Sequence, residues 1–279
     1  MCLACHRPFN HTGELLLLDA IVKYQILHGE KQESANAIRA RLAHLTDFMV
    51  ETGRTGTGVD EHWVTAFRAW AAARPIISPK GIERQRTLST IENSVIHAAA
   101  AIRFAKLMPN FQPKQTKHLN NTPQHRSTVA EIAAMFRYCI APEGAWSVIE
   151  RLRRIRERAR LHRFLIVSVA TWARPDAVYD LSTDPERQQW IRKAGVVALN
   201  PRGRPQTKKR RPTIPAPRQL AFHLNAAPTG FFVGRNSVRS AWRAMVKELG
   251  LPKQQGEAGS KLIRRSMITL ARVRLGEEH

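Results

Sequence analysis

From Glu14 onward apolar positions recur every three or four residues, first through ELLLLDAIVKYQILHG and then through SANAIRARLAHLTDFMVETG. That spacing predicts two amphipathic helices. Ser34 stands where the second needs an N-cap, and Gly53 where it needs a left-handed terminator. The GRTGTG run that follows reads as a plain connection, because its glycines match neither GxxxxGK[ST] nor a GxGxxG that opens a helix after a strand. Residues 60–73, DEHWVTAFRAWAAA, predict a third helix with Trp63, Phe67 and Trp70 on one inward face. A fourth is expected after SPKG, through ERQRTLSTIENSVIHAAAAIRFAKL, with apolar positions Leu88, Ile91, Val95, Ile96 and Ile102.

All periodicity stops in PNFQPKQTKHLNNTP, where prolines, polar amides and lysines read as an interdomain linker. Helical spacing returns at Thr128, with Glu131 placed three residues on as in a capping box. RLRRIRERARLHRFLIVSVATWA then begins with a dense positive face and ends wholly apolar. The period changes after Leu181: GVVALNP is a short β-like run, RGRPQTKKRR a basic turn and PTIPAP a return strand. Helix resumes in NSVRSAWRAMVKELGL and KLIRRSMITLARVRL. The expected fold class is therefore mainly α with a small β-hairpin or sheet (α+β). Its parts are a leader at 1–13, a helical domain at 14–108, a linker at 109–127 and a second domain at 128–279.

Charge changes this picture most. Lys plus Arg number 45 against 22 Asp plus Glu, a formal +23 in 279 residues. Such an excess repels itself in the folded state, so a polyanionic partner is expected, nucleic acid before an anionic membrane surface. No apolar run approaches the ~20 residues of a bilayer span. The N-terminus has no signal-peptide pattern, so a cytoplasmic, nucleoid-associated protein is expected. The cysteines Cys2, Cys5 and Cys139 are too few for a disulfide framework in a chain this long. Cys2, Cys5, His6 and His11 have spacing compatible with zinc but lack the second half of a ribbon or finger, and a disordered leader is the competing reading. Lys80, Arg84 and Arg86 stand near the start of the fourth helix, where free backbone N–H groups also favour phosphate, and are candidate DNA contacts. Some of Arg151, Arg153, Arg154, Arg156, Arg158 and Arg160 are expected on the DNA backbone, the rest on a solvated helix face.

Three segments carry a family resemblance. TWARPDAVYDL resembles the first arginine box of the tyrosine recombinases, the phage-integrase type of DNA breaking and rejoining enzyme, with Arg174 followed by Leu181. GRPQTKKRRPTIP is similar to that family's lysine turn between two strands, and KLIRRS to its His-x-x-Arg box, with Arg264 at the arginine. The resemblance implies an N-terminal helical core-binding (SAM-like) domain, an integrase-type catalytic domain, double-stranded DNA as partner and a homotetramer on paired sites. It implies catalytic roles for Arg174, Lys208, Lys261 and Arg264, with Lys209 the near equal of Lys208. DNA contacts are expected from Arg204, Lys209, Arg210, Arg211 and Arg265.

The chemistry explains the residue types. Charge gathers on the non-bridging oxygens of an attacked phosphodiester, and two guanidiniums hold them by paired hydrogen bonds without metal or other cofactor. A turn lysine can protonate the departing 5′-oxygen. Departures from the family pattern are Lys261 in place of its usual His, and Ala177, beside Asp176, where an acid is often found. The chain also has no tyrosine after Tyr179, so the nucleophile is expected to be missing and the catalytic domain C-terminally incomplete. Tyr179, five residues from Arg174, is expected to pack or to support the site. Two functions remain open: a recombinase that works through a 3′-phosphotyrosine intermediate, inactive as this chain alone, or a cleavage-dead DNA-binding remnant or regulator. RNA binding is less favoured, since no aromatic stacking motif is visible.

Overall fold

The computed structural model describes residues 17–32, 34–54, 59–77, 81–105, 111–114, 123–144, 146–206, 210–234, 237–252 and 256–276. Cys2, Cys5, His6, His11, Lys80, Lys208 and Lys209 lie outside the described residues. The chain is mostly helical with small antiparallel sheets. It divides into two compact units, Met1–Asn121 and Thr122–His279, and the division falls inside the segment 109–127.

In the first unit α1 (Leu17–Leu27), α2 (Ala35–Thr52), α3 (Glu61–Ala73) and α4 (Leu88–Phe104) bury their apolar stripes together. Phe48 of α2 is at the centre, edge-on to Trp63 at 5.2 Å and to Phe67 at 5.5 Å. Gly53 ends α2 at φ 66°, a conformation glycine adopts without a Cβ penalty. Ser34 occupies the N-cap position of α2, but its side chain makes no capping bond. Asp60 does cap α3, accepting from the Trp63 amide at 2.7 Å. The interior also holds an ion pair: Arg68 donates to both oxygens of Glu92, at 2.6 and 3.0 Å.

Three expectations change here. Residues 83 and 84 are not helical; β2 (Glu83–Arg84) pairs antiparallel with β1 (Ile76–Ile77), and the helix starts only after Thr87, whose hydroxyl accepts from Thr90 N. Leu88 and Ile96 are exposed while Ile91, Val95 and Ile102 are buried, so the true stripe of α4 is narrower than its apolar positions. Trp70 is only half-buried; its indole N–H reaches Glu51 at 3.2 Å and its ring carries the Arg74 guanidinium at 4.8 Å.

The second unit is built on α6 (Val148–Thr171), against which α5 (Val129–Ile140), α7 (Pro175–Asp180), α8 (Arg218–Ala226), α9 (Arg239–Glu248) and α10 (Leu262–Leu275) pack. The sequence of α6 explains this: its first half is polar, whereas Leu161, Phe164, Leu165 and Val167 in its second half are buried on several sides. Arg158 marks the change. It is 8% exposed, lies 3.6 Å over the Tyr138 ring, and donates to the Tyr138 carbonyl at 2.6 Å. It is therefore a structural residue, and the solvent-facing arginines of this helix are Arg151, Arg153, Arg156 and Arg160. The expected two-stranded element is a three-stranded antiparallel sheet of β3 (Trp190–Ile191), β4 (Val196–Ala198) and β5 (Thr213–Pro215). Val197 is opposite Trp190 on one side and Ile214 on the other.

Candidate functional site

Helix α6 ends at Trp172, which takes left-handed backbone angles (φ 52°) although it has a side chain, and the chain turns sharply there. Arg174 follows as the N-cap of α7, with Pro175 in the first helical turn where the missing N–H costs nothing. The same turn aims the Trp172 carbonyl at α10, and Arg264 Nη1 donates to it at 2.5 Å. Two arginines 90 positions apart in the chain are thereby drawn to one place.

They line one cleft of about 260 Å³ together with Arg210, Arg211, Asp176, Thr171 and Pro212. Burial, then the neighbouring Arg174 charge, push Arg264 below the usual arginine value, with Asp176 opposing. Among the described residues the Arg174 guanidinium has no hydrogen-bond or ion-pair partner. Four arginines line this cleft against one carboxylate, Asp176, which is itself paired with Arg211, and that excess of positive charge creates a strong demand for an anion.

No family model, curated protein or solved structure matches the chain. The site must therefore be read from its own chemistry.

Arg264 and Arg265 do not share a role. Arg265 turns to a separate groove with Gln124, Arg126 and Arg272, and donates to the carbonyls of Gly256 at 3.2 Å and Glu257 at 2.5 Å. Burial and the Arg126 charge lower its pKa as well. Lys261 is the exposed N-cap of α10 and is not among the residues lining the Arg174 cleft. In the first unit Arg84 is exposed on β2; Arg86 is half-buried and contributes, after burial itself, to lowering the pKa of His44.

Arg204 and Arg211 are engaged within the protein. Asp180, the last residue of α7, accepts from Arg187 at 2.5 Å through one carboxylate oxygen, and from Arg204 at 2.9 Å and from Arg211 through the other. Arg211 also reaches Asp176 at 3.0 Å. Asp180 escapes sequence reasoning because two of its partners, Arg204 and Arg211, lie 24 and 31 positions away, and Arg187 and Gln206 escape it because no local pattern marks irregular side-chain bonds of this kind. Tyr179 packs against Phe164 with ring centroids 5.2 Å apart. Among the described residues no group of three or more His, Cys, Asp or Glu side chains could hold a metal ion. No described helix is long and apolar enough to cross a membrane.

Proposed function

We propose that the second unit holds a phosphodiester of double-stranded DNA in the cleft between Arg174 and Arg264, as a protein of the tyrosine-recombinase kind. The observation that carries this reading is the pairing of two guanidiniums, one of them without a protein partner among the described residues. A phosphate oxyanion between them relieves their repulsion and accepts charge-assisted hydrogen bonds from both. The same geometry favours the transition state of phosphoryl transfer, in which those oxygens gain negative charge. In this reading a lysine from the basic turn, Lys208 or Lys209, donates the proton to the leaving 5′-oxygen. The family resemblance further implies assembly of four copies on paired sites.

The tyrosines favour a second reading, in which this chain occupies DNA without cutting it. Tyr24 and Tyr138 are buried, and burial raises the pKa of each, which opposes formation of a phenolate. Tyr179 is half-buried, with its ring against Phe164. A nicked suicide duplex incubated with the 279-residue chain should accordingly yield no covalent adduct. An adduct through any of these three residues would overturn the assignment of the nucleophile as missing.

The cleft itself is tested by duplex affinity at fixed salt. Arg174→Ala and Arg264→Ala should each weaken binding roughly tenfold or more, the scale of a hydrogen bond to a charged group. Arg151→Ala removes an exposed arginine of α6 and should change affinity about twofold. Equal losses at all three positions would reduce the cleft to generic positive surface.

A further inference from the structure

Asp180 stands six residues after Arg174, at the other end of the short helix α7. Its side chain is 20% exposed and meets three guanidiniums. Arg204 and Arg211 arrive at the same oxygen, Oδ2, from two positions seven residues apart in the chain. Other bonds fasten the same two flanks. The Gln206 amide donates to the Arg211 carbonyl at 2.8 Å and accepts from the Arg211 amide at 3.2 Å, while Asn200 donates to the Arg204 carbonyl at 2.6 Å. Arg187 is oriented independently by Gln189 at 3.0 Å. Arg211 is only 11% exposed and lines both the Arg174 cleft and the cleft that contains Asp180.

Two consequences follow. Holding Arg204 and Arg211 on one carboxylate ties both flanks to α7. Asp180, even with Asp176 on Arg211, cannot neutralise three guanidiniums, so the hub keeps net positive charge and stays favourable to a phosphate.

We propose that Asp180 is a positioning residue: by gathering Arg204 and Arg211 onto α7 it sets Arg211 at the wall of the cleft formed by Arg174 and Arg264. The role in phosphate binding rests on the function proposed above; the anchoring of the two flanks does not. Asp180 touches no substrate in this scheme and acts through Arg211.

The sign of the effect on DNA affinity separates positioning from charge. Removing a negative charge from a cation should tighten DNA binding, and Glu186→Gln, at an exposed acid in the same unit, supplies that baseline. Asp180→Asn makes the same charge change, yet positioning requires it to bind duplex DNA about fivefold more weakly than the parent chain, with Asp180→Glu restoring most of the loss. Hydrogen–deuterium exchange in the full chain, read over 204–206 and 210–215, should be about tenfold faster in Asp180→Asn and unchanged in Glu186→Gln. If Asp180→Asn does not fold, Arg204→Gln releases only one exposed hand of the hub and should show a smaller acceleration over the same segments. Exchange that stays at the parent rate in these variants overturns the anchoring. Tighter DNA binding by Asp180→Asn, equal to that of Glu186→Gln, overturns the positioning role. If Arg174→Ala leaves affinity unchanged while Asp180→Asn still accelerates exchange, the phosphate reading fails and the anchor stands.

Discussion

At the residue scale, His97 in α4 illustrates how a fixed hydrogen-bond direction turns into pH dependence. Arg41 Nη1 lies 2.9 Å from His97 Nε2, and because a guanidinium can only donate, the imidazole must accept and be neutral. Burial first, then the charges of Arg41 and His28, lower its pKa from 6.5. A histidine with a depressed folded-state value binds its proton more readily when unfolded. Its contribution to stability is therefore complete above the unfolded value of 6.5, and is lost as the pH falls from there through the lower folded value. His97→Gln, which keeps an acceptor for Arg41 but no titration, should flatten the fall in urea-unfolding stability between about pH 7 and pH 5. An unchanged slope would mean that His97 does not titrate on unfolding. Such residues cannot be recognised from the sequence: His97 sits among HAAAA like any half-exposed helix residue, and only its distant partner, Arg41, reveals its state. Arg174 was legible because it interrupts two apolar segments. Asp180 was not, because its three partners lie up to 31 positions away.

At the scale of elements, legibility follows the amount of local information. The start of α5 is written in its first residues: Thr128 Oγ1 accepts from Glu131 N at 3.1 Å, and Glu131 returns the bond by accepting from Thr128 N at 2.8 Å. Thr128→Ala should cost about 1 kcal/mol of stability, read from the denaturation midpoint of the second unit's core. A change under roughly 0.3 kcal/mol would show that the reciprocal bonds contribute little. Long helices such as α6 and α10 carry enough turns for their period to emerge. The two-residue strands β1, β2 and β3 do not, and Glu83 and Arg84 suit a helix as well as a strand until Ile76 and Ile77 supply the pairing. Helix α8 was equally hidden: Leu220 and Leu224 are its buried side chains, a single i, i+4 pair after Pro217. Its boundaries depend on packing against α6, which the sequence does not contain locally.

At the scale of the whole molecule, the net charge of +23 was legible at once, whereas its distribution was not. Arg158, Arg187, Arg204 and Arg211 are drawn into internal pairs, and Arg174 is left without one among the described residues. This separation yields opposed expectations for salt. Exposed pairs such as Arg39–Glu30, 3.6 Å apart, contribute little and lose little on screening. Repulsion among the unpaired cations is screened more, because the Debye length falls from ~30 Å at ~0.01 M salt to ~10 Å at ~0.1 M. The protein without DNA should therefore unfold at a higher temperature as salt is added. Duplex DNA acts in the reverse order. Near 0.01 M salt, a duplex at about a hundred times its Kd should add about 2.7 kcal/mol, several degrees in the midpoint of thermal unfolding followed by circular dichroism. Its benefit should disappear as salt rises, because the counterions released on binding then cost more to displace. A stabilisation by DNA that persists undiminished at high salt would mean that contacts other than phosphate contacts dominate. The absence of any stabilisation at low salt would remove nucleic acid as the polyanion this charge is matched to.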